Sequence, residues 1–110
     1  MARLVAQAAY DIKGESIEVL DVRKLCGFTD FFVIASGRSD RQVQAMSDNI
    51  RHEMQKMKRQ PIGIEGYQIG HWVLMDFGSV VAHLFFEEAR TFYALEKLWG
   101  DAPRIKFQLK

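Results

Sequence analysis

Residues 29–43 read Thr29-Asp30-Phe31-Phe32-Val33-Ile34-Ala35-Ser36-Gly37-Arg38-Ser39-Asp40-Arg41-Gln42-Val43. From Phe31 to Ala35 every side chain is apolar. So short a continuous run predicts a strand covered on both faces. Ser36-Gly37-Arg38 breaks it. Ser39, followed three positions later by Gln42, forms a capping-box pattern, so a helix starts there. Val43, Met46, Ile50, Met54 and Met57 then recur at spacings of 3, 4, 4 and 3. That stripe predicts one long amphipathic helix over 40–59, with Pro61 just beyond it.

Working outward, Ile62–Glu65 reads as a short strand and Gly66–Gly70 as a loop. His71–Asp76 and Val80–Phe86 are strands joined by Phe77-Gly78-Ser79, a link short enough for an antiparallel hairpin. Upstream, Leu4, Val5, Ala8 and Ile12 place a helix over 2–13, with Lys13 in its last turn and Gly14 at the C′ position. Ser16–Val22 follows as a strand and 23–29 as a loop. Downstream, Glu87 and Glu88 open a third helix carrying Ala89, Phe92, Tyr93, Leu95, Glu96 and Trp99. Pro103 closes regular structure, and the tail 104–110 alternates basic or polar with apolar residues, as an edge strand or a mobile end would. The order αββαβββα predicts an α/β fold, a mixed sheet of about five strands with helices. The expected domain is 1–102, with a basic tail over 103–110.

The chain has 110 residues, 48% hydrophobic and 26% charged, enough to fold as one globular domain. Its net charge is +1 and its pI about 7.9. That argues against a strong phosphate-driven binder, for which domain pI commonly exceeds ~9. A single cysteine, Cys26, excludes an internal disulfide and a cysteine-clustered zinc site. It reads as a buried small residue, and thiol usage points to the cytosol or to an organelle interior, of which a cytoplasmic setting is expected. No apolar run approaches the ~18 residues of a membrane span, and Gln7 interrupts any secretory hydrophobic segment.

Alternation across strands sorts the candidate functional residues. Trp72, Leu74 and Asp76 share one face of their strand; Val81, His83 and Phe85 share one face of the next; Phe32 and Ile34 share one face of the apolar run. Three strands are thus apolar on both sides while only the middle helix is long. Either the helices, loops and tail close both faces, or part of one face stays open as an interaction surface. Trp72 favours the second, since aromatics are enriched at interface centres. Self-association through such a patch is expected, and so is tolerance of Asp76→Lys with little loss of stability.

The Ser36–Arg41 junction, with Arg38, Ser39 and Arg41, is either a capped helix start or a candidate phosphate or RNA contact. It lacks the GxxxxGK[ST] pattern. From Arg38 to Arg59, six basic residues stand against Asp40, Asp48 and Glu53, an excess of +3, which is either a solvated face or an RNA-facing patch. His52, His71 and His83 have no i+4 histidine partner, so no metal motif is present. Asp76 is a lone carboxylate on its strand. The paired carboxylates needed to hold magnesium for nucleotidyl transfer are missing from the pattern. No catalytic residue and no cofactor is expected.

Residues 29–43 and the stretch Gly70-His71-Trp72-Val73-Leu74-Met75-Asp76-Phe77-Gly78-Ser79-Val80-Val81-Ala82-His83 together resemble the two signatures of the ribosomal silencing factor (Iojap-related) family. The second continues into Glu88-Ala89-Arg90, Phe92-Tyr93, Leu95-Glu96 and Leu98-Trp99, so the resemblance covers about 1–102. It implies a nucleotidyltransferase-like fold without catalytic carboxylates. It also implies binding to large-subunit ribosomal protein fourteen, which blocks joining of the small subunit and represses translation, with homodimers when free. The expected partner-binding residues are Trp72, Leu74 and Asp76, with His83 and Tyr93 added by the resemblance. A minor ribosomal RNA contact is a further expectation. Ser79 replaces the family's usual aspartate and Ala82 a common valine. An enzyme or an adaptor sharing the fold is the alternative reading.

Overall fold

The computed structural model describes residues 1–25, 27–87 and 102–110. Their elements in chain order are α1 (Ala2–Asp11), β1 (Glu15–Asp21), β2 (Phe31–Gly37), α2 (Asp40–Lys56), β3 (Gly63–Glu65), β4 (Trp72–Asp76), β5 (Val80–Phe86) and β6 (Arg104–Ile105). The expected third helix, with Tyr93, falls on residues outside those described, as does Cys26. The mixed α/β expectation is met, with six strands in place of about five.

Laterally the strands run β3-β4-β5-β2-β1-β6. The apolar run becomes β2, inside the sheet, antiparallel to β1 and parallel to β5. Residues 32–37 are all buried, as two-sided cover requires. Parallel pairing needs a long crossover. Here α2 and the antiparallel β3–β4 pair supply it before the chain returns through β5. The expected tight hairpin forms between β4 and β5. Gly78 sits at φ +87 in its turn, a conformation glycine adopts without steric cost. The sixth strand comes from the tail. Ile105 pairs with Val19 and Arg104 with Leu20, and Ile105, Phe107 and Leu109 pack on the core.

The core has two parts, one on each sheet face. On the first, α1 and α2 pack Val5, Ala9, Val43, Met46, Ile50 and Met54 onto Val19, Val33, Ala35, Val73, Met75, Ala82 and Leu84. On the second lie Leu20, Val22, Phe32, Ile34, Val81, Phe85 and Ala102, with Trp72 and Leu74 packed at the side. No residue of α1 or α2 belongs to this second group. Fully burying side chains of this size stabilises by roughly 1.5–3 kcal/mol each.

Both helix ends differ from expectation for the same reason. α1 stops at Asp11 and α2 at Lys56, each two or three residues early. Gly14 N donates to Ala9 O at 2.9 Å and Lys13 N to Tyr10 O at 2.8 Å. Arg59 N and Lys58 N bond Met54 O and Gln55 O in the same way. These are paired Schellman bonds, and the left-handed residue is a lysine each time: Lys13 at φ +61 and Lys58 at φ +58. Gly14 therefore serves a different need from the expected C′ role. A Cβ there would lie 2.7 Å from Ala9 O and 2.8 Å from Met46 Sδ. Gly14→Ala is expected to cost about 1–3 kcal/mol through that overpacking. Lys13→Gly should be neutral or stabilising by up to ~1 kcal/mol, because it relieves the left-handed lysine. Urea titration of the two variants checks the contrast.

Candidate interaction face

Register assembles the expected residues. Leu74 on β4 lies opposite His83 on β5, which lies opposite Ile34 on β2. One step along, Trp72 faces Phe85; one step the other way, Asp76 faces Val81 and Val81 faces Phe32. Trp72, Leu74, Asp76 and His83 thus occupy one sheet face, opposite to α1 and α2. Sequence alternation placed each residue on a side of its own strand, and the pairing decides that those sides coincide. Trp72, Leu74 and Asp76 are half-buried, whereas His83 is buried at 5% exposure.

The aromatic packing is specific. Trp72 stacks on Phe85 with ring centroids 5.2 Å apart and 24° between planes. Its indole Nε1 donates to His83 Nδ1 at 3.2 Å. Phe32 meets the imidazole edge-on at 4.7 Å. Because Nδ1 accepts, the imidazole is neutral and carries its proton on Nε2. Nε2 is buried and has no hydrogen-bond partner among the described residues. An unpaired buried donor costs about 1–3 kcal/mol. Burial also pushes the His83 pKa down from 6.5 to about 4.

Asp76 has a structural duty that its sequence position does not disclose. Its Oδ1 accepts from Gly78 N at 2.8 Å and closes the β4–β5 turn. Asp76→Lys would remove that bond along with the charge, so the expectation of nearly intact stability is corrected. Asp76→Asn keeps an acceptor in place and isolates the charge. The neighbouring Ser79 holds the strand starts together through its carbonyl, which accepts from Asp30 N and Phe31 N at 3.0 and 3.1 Å.

The Arg38–Arg41 junction follows β2 at the sheet end where Trp72 pairs with Phe85, with Asp40 against Gly70, and it is engaged internally. Ser39 Oγ accepts from Gln42 N at 3.1 Å, the expected N-cap. Gln42 Oε1 takes Arg38 N at 2.7 Å, one residue earlier than a capping box would have it. Gln42 Nε2 then donates to Ile12 O and Lys13 O, tying α2 to the end of α1. Arg41 N bonds Asp40 Oδ1 at 2.8 Å, and Arg38 pairs with Glu15 at 2.7 Å. Of the two readings of this junction, the geometry favours the capped helix, since the amides of residues 38, 41 and 42 already have acceptors.

Among the described residues, no three His, Cys, Asp or Glu side chains come close enough to hold a metal ion. None of the described helices is long and apolar enough to cross a membrane. A feature the sequence reading missed is the Asp21–Arg23 pair at the end of β1. Two bonds of 2.9 and 2.6 Å from the guanidinium hold the Asp21 carboxyl down at about 2. An i, i+2 acid–base spacing is the only signal for it, and that spacing is common in loops.

The family profile described as "Ribosomal silencing factor during starvation" matches residues 1–110. The chain belongs to the ribosomal silencing factor family. It is 41% identical to the ribosomal silencing factor RsfS of Bacillus subtilis, over 92% of this chain and 86% of that one. It is 37% identical to that of Halalkalibacterium halodurans, over 98% and 92%. A crystal structure of a Chromobacterium violaceum protein superposes with a TM-score of 0.87 at 34% identity, covering 98% of this chain and 89% of that one. Membership confirms the family resemblance read from the two signatures.

The buried imidazole gives a pH test. In the unfolded chain His83 takes up a proton near 6.5, whereas in the fold it does so only near 4. The unfolded state therefore binds more protons between those values, and stability falls as pH drops through this window, by about 3 kcal/mol in total. His83→Phe should flatten this limb. Denaturant titrations from pH 7 to pH 4.5 on the parent and variant measure the difference.

Proposed function

We propose that this chain is a non-enzymatic regulator that binds the large ribosomal subunit through ribosomal protein fourteen and sterically blocks joining of the small subunit. Membership of a family named for ribosomal silencing supports a ribosome-associated role. The observation that carries the specific face is the row Trp72, Leu74 and Asp76. It presents an aromatic and an aliphatic group, each half-buried, beside a carboxylate, on the sheet side away from α1 and α2. Stacking on Phe85 holds the indole against a rigid strand, so little side-chain entropy is lost on docking. Asp76 at the end of the row suits a basic protein partner. Tyr93 is carried into this proposal from the family resemblance alone.

The same reading proposes that the free protein is a cytoplasmic homodimer that covers this face until the ribosome competes for it. It also proposes that any ribosomal RNA contact is minor. Within α2, Arg41, Arg51 and Lys56 are balanced by Asp40, Asp48 and Glu53, so the basic excess over 38–59 comes from Arg38, Lys58 and Arg59 beyond its ends, and Lys56 is paired with Glu53 at 2.8 Å. A nucleotidyltransferase-like ancestry would suit the mixed sheet, with the family's silencing name favouring a regulator over an enzyme.

Two variants test the face. Trp72→Ala should weaken association with isolated large subunits by ~2 kcal/mol or more, the hot-spot scale, while the protein stays folded. Asp76→Asn should keep its melting temperature and lose affinity, more at low salt than at high. Co-sedimentation with large subunits, a subunit-joining assay and thermal melts give the three readouts. Parent-like binding by both folded variants would show that the partner docks elsewhere. Sedimentation equilibrium at micromolar concentration should reveal a species of twice the 12.7 kDa chain mass, and Trp72→Ala should shift it toward monomer.

A further inference from the structure

His83 is an unusual choice for the middle of a central strand. Its neighbours in register are Leu74 and Ile34, and its ring lies among Phe32, Trp72 and Phe85. An apolar side chain of similar volume would avoid burying an N–H that has no partner among the described residues. One atom of the imidazole has a defined task there: bare Nδ1, which accepts the indole proton of Trp72 at 3.2 Å. The indole is pinned in two directions. Phe85 fixes the plane by stacking at 24°, and Nδ1 fixes the rotation within that plane by holding Nε1. Trp72 is half-buried, and loss of that bond removes the contact that aims its N–H.

We propose that His83 is a positioning residue, which acts through Trp72 by pre-orienting the indole for the partner rather than by touching the partner itself. This rests on the reading that Trp72 belongs to the partner-binding face. It also reassigns His83 within that face, from contact residue to support, which its 5% exposure favours. Preorganisation of this kind improves affinity by removing the cost of fixing a rotamer on binding.

The distinction can be measured because the acceptor sits at a known atom. In His83→Asn the side-chain carbonyl oxygen occupies nearly the place of Nδ1, whereas His83→Phe keeps the ring volume and removes the acceptor. The Trp72 indole N–H, assigned by its loss in Trp72→Phe, should exchange slowly in the parent and in His83→Asn, and much faster in His83→Phe. Affinity for isolated large subunits should stay within about threefold of the parent in His83→Asn. It should fall about five- to tenfold in His83→Phe, the scale of one net hydrogen bond. Trp72→Ala supplies the reference for complete loss of the side chain. If Trp72→Ala loses affinity while folded His83→Phe binds like the parent, the positioning role is wrong and the binding face stands. If Trp72→Ala itself binds like the parent, the face is wrong and the positioning role goes with it. An Asn variant as weak as the Phe variant would also overturn the role, since rescue depends on the acceptor. Should His83→Phe fail to fold, Trp72→Phe decides. It removes the donor, keeps His83, and must lose a comparable share of affinity; parent-like binding overturns the proposal.

Discussion

The parallel pairing of Phe31–Gly37 with Val80–Phe86 is the constraint on which the rest of this structure depends. Two strands buried on both faces meet inside the sheet, and neither has a solvent side that tolerates polar side chains. Because side chains alternate with period two, a one-residue slip would exchange the two faces completely. The observed register sends Val33, Ala35, Ala82 and Leu84 toward the helices. It sends Phe32, Ile34, Val81, His83 and Phe85 to the other side. The β4–β5 hairpin then adds Trp72, Leu74 and Asp76 to that second side.

The proposed interaction face follows from this arrangement more than from any single motif. A tryptophan at the start of β4 would be an ordinary half-exposed residue without Phe85 beneath it and His83 beside it. These contacts make it a rigid projection, the form of side chain that contributes most at interface centres. Asp76 illustrates the opposite coupling. Its carboxylate is available at the end of the row, yet the same group closes the turn that sets the hairpin register. Substitutions there therefore separate charge from structure only when an acceptor is kept.

The helix face is organised by polar contacts at element ends. Gln42 connects the start of α2 to the end of α1 with two bonds, and Asn49 reaches Ala8 O at 2.8 Å. At the end of the chain, Gln7 exchanges two hydrogen bonds with the backbone of Lys110, anchoring the tail whose first residues form β6. Each contact spans many residues in sequence. None could be located before the helices were placed side by side, although the residue types involved are the usual capping and bridging ones.

Local chemistry was strong enough to be legible in the sequence for the central strand, the long helix, its Ser39 cap and the β4–β5 hairpin. In each case a continuous apolar run, a 3–4 spacing or a short glycine link allows few alternatives. The two family signatures likewise identified the family without any coordinates. Helix ends were misread because Lys13 and Lys58 occupy left-handed positions that propensity assigns to glycine, while Gly14 is required by the approach of Met46. Only the tertiary structure decided that Trp72, Leu74, Asp76 and His83 share a face, and that His83 Nδ1 holds the indole. Strand alternation is a property of one strand, whereas a shared face is a property of the register between strands. That register is set by long-range packing, to which no local stretch of sequence has access.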